Sequence, residues 1–369
     1  MVSSEAVNRI RQCKSVFFAF VVFNFGGDVM MKHSDVSSIH KEMMVCDTHC
    51  DTVEKVLSKG IDLGNRLDHG HLDIPRLREG GVDAQVFACC VIRRPEKSAG
   101  DYVKQALTMI DALYTQFEKH PDAMELALTA GDIKKAKQDG KIAAILAIEG
   151  GHAIEDDLVL LRSFYRLGVR LMTLVWNSTD WADASFDRPN HNGLTDFGRD
   201  VVKEMNRLGM MIDVSHAADG TVWDTLEVST DPIIASHSCA QAICDHKRNV
   251  NDELIKAMSD AGGVICINFY STFLDQNFKD NSAKKPKPEP PPLSIVIDHI
   301  DYIVNMGGID CVGLGSDFDG MNPPPVGLED VSKMPKITEA LLERGYSVED
   351  TAKIMGGNFL RVFGQVCGM

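Results

Sequence analysis

From residue 43 onward, short apolar runs alternate with longer amphipathic stretches, and this alternation most narrows what the chain can fold into. Eight runs stand in order, at 43–46, 84–92, 142–148, 170–175, 210–214, 232–235, 263–267 and 311–314. Between them, 102–119, 157–167, 196–207, 252–261 and 295–305 carry apolar residues at helical spacing. Strands alternating with helices imply βαβ units and a mainly parallel sheet. Eight of them predict a (β/α)₈ barrel of the TIM type. Ser347, with Asp350 three residues on, has the form of a capping box opening a last helix. The proline-rich stretch 284–292 can be neither helix nor central strand and is expected as an extended surface loop. Because the alternation continues across it, 41–369 is expected to be one domain, preceded by an extension over 1–40.

Composition removes several functions. An apolar share of 44% and a charged share of 25% are those of a soluble globular protein. A formal charge of -15 repels phosphate backbones and anionic lipid, which excludes a nucleic-acid partner and points to a small molecule. Ten cysteines are too dilute for a disulfide scaffold, and Cys89 and Cys90 inside an apolar run are expected as buried thiols. Those thiols favour the cytoplasm. The alternative is export, since Arg9, Arg11 and Lys14 precede an apolar stretch at 16–25 in the manner of a signal peptide. That stretch is too short for a stable membrane span.

Chemistry follows from where the polar residues fall, because barrel enzymes carry their working groups at the C-terminal ends of strands. Asp47, His49 and Asp51 follow the first run, Glu149 and His152 the third, His216 the fifth, His237 the sixth, and Asp317 and Asp319 the eighth. An H-x-D pair such as His49 and Asp51 is weak evidence for a metal by itself. It gains weight when Glu149, His216 and His237 stand at equivalent strand ends. A carboxylate ending a strand buried on both faces costs several kcal/mol unless it is paired, and a cation relieves that cost. Nitrogen and carboxylate donors together favour zinc, and two such ions sharing a water make hydroxide available for hydrolysis.

These residues resemble the membrane (renal) dipeptidase family over about 45–363. The shared motifs are DTHCD at 47–51, AIEGGHAI around Glu149, DVSH ending at His216, SHS around His237, KRNV at 247–250 and GSDFDG at 315–320. The resemblance implies a zinc-dependent hydrolase of dipeptides that works as a homodimer. It implies that His49 and Asp51 hold one Zn²⁺, that His216 and His237 hold the other, and that Glu149 bridges them. It further implies that Arg248 binds the substrate carboxylate and that Asp317 carries the proton; Asp319 either shares that role or simply caps a turn. One position departs from the family pattern: Trp176 stands where a substrate-contacting histidine is usual. An indole donates one hydrogen bond and carries no charge. His152 and His191 are candidates to compensate. Trp176 also leaves open a barrel amidohydrolase acting on another small amide, lactam or lactone, or a catalytically weakened binding scaffold.

Overall fold

In the computed structural model, which describes residues 33–94, 96, 98–186 and 190–369, the eight runs become parallel strands in consecutive order. They are β1 (Cys46–Cys50), β2 (Ala84–Cys90), β3 (Ile142–Glu149), β4 (Val169–Thr173), β5 (Met211–Asp213), β6 (Ile234–Ser238), β7 (Val264–Ile267) and β8 (Val312–Leu314). Each pairs with the next. The ring closes where Asp317 N donates to His49 O at 3.1 Å and Asp51 N donates to Phe318 O at 2.9 Å. The expected (β/α)₈ barrel is what forms. A short extra strand, Met124–Leu126, pairs with β3 off the ring; three residues are too few to show a period.

Alternation along the strands decides which side chains reach the site. In β3, Ile142, Ala144, Leu146 and Ile148 pack outward against the helices, whereas Ala143, Ile145 and Ala147 fill the ring. Successive residues face opposite sides of a sheet, so Glu149 continues the inward set. The inner cluster also takes Phe359 and Phe363 from the helix Asn358–Cys367. These rings pack with Cys46, Ala84, Ile234 and Val264, each the first residue of its strand, and so plug the N-terminal end of the barrel. Polar chemistry is left to the other end.

Two strands break the alternation. In β6, Ile234 faces in and Ala235 out, which by strict alternation sends His237 outward. A register shift against β7 between Ala235 and Ser238 re-aims it into the mouth of the ring. A second shift in β1, between Asp47 and Cys50, falls at His49.

A helix runs across residue 40. His33–Glu42 is a helix whose Val36 and His40 are buried, and His40 bonds Thr338 Oγ1 (2.7 Å) and Gly80 O (2.9 Å). Its mostly polar sequence hid this, because what holds it lies far along the chain. The signal-like stretch 16–25 lies outside the described residues. As expected, 284–292 forms neither helix nor strand, and Ser347 Oγ accepts from Asp350 N (3.0 Å) to cap Val348–Ala352. Among the described residues no helix is long and apolar enough to cross a membrane. All nine described cysteines are free; Cys89 is buried and Cys90 partly so.

Candidate metal centre

Glu149 ends β3 between two groups of donors. Its Oε1 lies 2.9 Å from His216 Nε2 and 3.5 Å from His237 Nε2, and its Oε2 lies 3.7 Å from His49 Nε2. Asp51 Oδ2 is 3.6 Å from the same His49 nitrogen. Donors sharing a four-coordinate zinc at bonds of about 2.1 Å sit roughly 3.4 Å apart. The His49, Asp51, Glu149 and His237 spacings match that value and are too long for hydrogen bonds. His49 is 1% exposed, yet among the described residues neither of its ring nitrogens has a hydrogen-bond partner. A buried imidazole left this way is costly unless a cation takes its lone pair. The residues present therefore fit a metal pair, with the two oxygens of Glu149 divided between the halves.

Electrostatics agree. Burial opposes charge on Glu149, but His49 and His216 hold its carboxyl down at about 2. Burial also opposes charge on His49, and the Glu149 and Asp51 carboxylates overcome it, raising that ring to about 10. The cluster is thus short of positive charge. Burial and Arg248 lower His216 to about 4, and burial and His49 take His237 well below its usual value. Both present neutral rings at physiological pH, the state that binds metal.

The neighbours separate into groups that enter the cleft and groups that do not. A cleft of about 250 Å³ is lined by Glu149, His216, Arg248, Asp317 and Trp176, with Cys90, Phe186, Tyr270 and Phe273 among the rest. Arg248 is 4% exposed, and among the described residues its guanidinium donates only to His237 O (3.3 Å), its Nε has no partner and no carboxylate lies within ion-pair distance. Asp317 adopts φ +62° and accepts from Asn268 Nδ2 at 2.8 Å. Burial and the facing Asp51 push its carboxyl well above the usual range. Trp176 is half-buried, its ring centroid 6.3 Å from that of His216.

Three of the residues considered above do not come to this cluster in the expected way. Asp319 is occupied by Lys55 Nζ, Thr52 Oγ1 (2.7 Å) and His71 N (2.7 Å), so it anchors a loop and is not a free acid or base. His152 is buried in the turn Gly151–Ile154, edge-on to Tyr102, and does not line the cleft. His191 is exposed in a loop held by the Asp183 carboxylate. Gly151 allows a close approach to the loop that follows β4, where a Cβ on it would stand 2.3 Å from Leu174 O and 2.4 Å from the Trp181 ring, and Gly150 one to His152, whose ring a Cβ would meet at 2.7 Å. Sequence reasoning missed Cys90, whose thiol, with Asp51 and Glu149, makes a further group of potential donors. It also missed Asn268, although Val264 and Cys266 face inward and two further steps along β7 point the same way.

Gly320 is a cradle for two carboxylates. A Cβ there would lie 1.9 Å from Asp51 Oδ2 and 2.5 Å from Asp317 Oδ1. Gly320→Ala is expected to displace both, losing metal from the Asp51 half and about a hundredfold in turnover with the fold retained. Full metal content in that variant, measured by elemental analysis, excludes the cradle role.

A parallel barrel with a glutamate-centred cluster of histidines and aspartates at its open end defines the class of (β/α)₈ proteins that use metal. Within that class the chain belongs to the membrane dipeptidase family, peptidase family M19, whose model matches residues 33–368. It is 38% identical to Dipeptidase 3 of Mus musculus over 80% of this chain and 58% of that protein, so it spans less than two thirds of that relative's length. Two solved structures resemble it closely. The probable dipeptidase PvdM from Pseudomonas aeruginosa superposes with a TM-score of 0.83 at 26% identity, covering 90% of this chain and 98% of that one. A metallopeptidase from Rhodobacter sphaeroides, bound to a phosphinate mimic of the dipeptide L-Ala-D-Ala, gives 0.79 at 27%, covering 88% and 99%.

Proposed function

We propose that this chain hydrolyses the peptide bond of dipeptides at a site holding two Zn²⁺. The observation that carries this is Arg248, a buried guanidinium with no carboxylate partner among the described residues, at the wall of a cleft that also holds Glu149. A cation buried without a counter-ion is unfavourable, and the free carboxylate of a short peptide supplies what is missing. The family membership and the ligand carried by the Rhodobacter sphaeroides structure support the same substrate class.

His49 and Asp51 would hold one ion and His216 and His237 the other, with Glu149 between them. Divalent cations held there would lower the pKa of a bound water toward neutrality and polarise the substrate carbonyl. Arg248 binds the terminal carboxylate bidentately and so limits length to two residues. Asn268 orients Asp317 through Oδ2, leaving the other oxygen to take the proton from water and deliver it to the amine as the C–N bond breaks. Trp176 lines the same cleft with its ring centroid 6.3 Å from that of His216, and an indole has one N–H to donate.

Purified protein is expected to hold about two metals per chain and to release amino acids from dipeptides but not from tripeptides. Metal-loaded protein that leaves every dipeptide in a broad panel intact defeats the proposal. Trp176→His is expected to raise kcat by about ten- to a hundredfold at unchanged metal content; an unchanged kcat means the indole already supplies what a histidine would. The homodimer implied by the family resemblance is checked by light scattering on the same preparation.

A further inference from the structure

Beneath the metal ligands, two carboxylates sit in matched settings. Asp213, ending β5, accepts at Oδ1 from the backbone N–H groups of Ser215 (2.9 Å) and Ser236 (2.8 Å). At Oδ2 it accepts from the hydroxyls of Ser236 (2.6 Å) and Thr173 (2.5 Å). Asp47, in β1, accepts at Oδ1 from Ser316 N (2.8 Å) and at Oδ2 from Ser316 Oγ (2.6 Å). The two differ in what the serine touches next. Ser236 Oγ lies 2.8 Å from His237 Nδ1, whereas Ser316 Oγ lies 3.2 Å from the backbone carbonyl of His49.

A hydroxyl has one proton, and an ionised carboxylate only accepts. The Ser236 proton therefore points at Asp213, its lone pair faces His237, and that imidazole must carry its own proton on Nδ1. Nε2 is left with a lone pair, on the side that faces His216 Nε2 at 2.9 Å and Glu149 Oε1 at 3.5 Å. We propose that Asp213, acting through Ser236, sets the tautomer of His237 and thereby makes it a metal ligand. Asp213 is a positioning residue, and the inference rests on the reading above that His237 holds a metal.

Asp213→Asn tests the polarity of this chain. Two backbone N–H groups pin the remaining carbonyl oxygen at the Oδ1 place, so the new NH₂ must occupy the Oδ2 place. It then donates to Ser236, the Ser236 proton turns toward His237 Nδ1, and the imidazole proton moves to Nε2. A nearly isosteric change removes the ligand lone pair. Ser236→Ala only releases the restraint and leaves the ring free to choose. Asp47→Asn makes the same chemical change, but there Ser316 can pass its proton to the His49 carbonyl and no ligand ring is involved.

Zn²⁺ affinity and the Co²⁺ absorption spectrum are to be measured on the full-length protein and the three variants, with ¹⁵N shifts of the histidine rings and thermal melts. Asp213→Asn is expected to weaken one of the two Zn²⁺ positions ten- to a hundredfold, change the Co²⁺ spectrum and place the His237 proton on Nε2. Ser236→Ala is expected to lose less than about tenfold, and Asp47→Asn less than about threefold, on the same scale. Equal losses in the two Asp→Asn variants, or a larger loss in Ser236→Ala than in Asp213→Asn, overturn the inference. If Asp213→Asn does not fold, the wild-type ring decides: a proton on Nδ1 upholds the inference and one on Nε2 overturns it. Wild-type protein with the proton on Nδ1 but no affinity for Zn²⁺ refutes the metal reading instead.

Discussion

Replacing Arg248 by methionine is expected to lower kcat/KM on dipeptides by about 10² to 10³, mostly through KM, because a buried charge-assisted pair with the substrate carboxylate is lost. Wild-type discrimination between a dipeptide and its C-terminal amide should collapse in the same variant, since only the carboxylate distinguishes them. Stability should move the other way or not at all. Arg248 is 4% exposed, and among the described residues its guanidinium makes one hydrogen bond, to His237 O at 3.3 Å. Exchanging an under-partnered buried cation for a hydrophobe of similar volume is neutral or stabilising by about 1–4 kcal/mol. Lost activity with an unchanged or raised Tm marks a residue kept for binding. Wild-type kcat/KM in Arg248→Met removes the argument from the cleft to dipeptides.

Glu149→Gln is expected to abolish binding at both metal positions and to cost at least about 10³ in turnover. The two oxygens of Glu149 face different partners, Oε1 toward His216 and His237 and Oε2 toward His49. An amide keeps one acceptor and turns a donor toward the other set, so it cannot serve both. Asp51→Asn touches only the His49 half and is expected to leave about one metal per chain. Elemental analysis of the pair separates a bridge from an ordinary ligand. Two metals retained in Glu149→Gln, or equal losses in both variants, would show that Glu149 does not bridge.

Much of this was legible in the chain. The eight runs carried the barrel because strand and helix periods are local properties, and a long parallel strand such as β3 reads as continuous apolar sequence. His49, Asp51, Glu149, His216 and His237 were legible because a barrel delivers strand ends to one rim whatever its loops do. Arg248 and Asp317 needed the family motifs, since an arginine in a loop carries no local sign that it will be buried and left without a counter-ion. His152 misled for the converse reason: it lies three residues beyond Glu149, yet the turn Gly151–Ile154 takes it under Tyr102 and away from the cleft. Asp319, two residues from Asp317, is spent on Lys55, Thr52 and His71, partners 248 to 267 residues away in the chain.

What the amino-acid sequence determined by itself was therefore the class of fold, the rim on which the polar groups sit and the candidate donors. Only the tertiary structure decided which donors face one another. The register shifts in β1 and β6 re-aim His49 and His237 against simple alternation. Asp213 reaches Ser236 across a strand boundary to orient His237, and Gly320 makes room for two carboxylates that come from opposite ends of the chain. Register and hydrogen-bond polarity are relations between strands, whereas periodicity and residue type are properties of each strand alone.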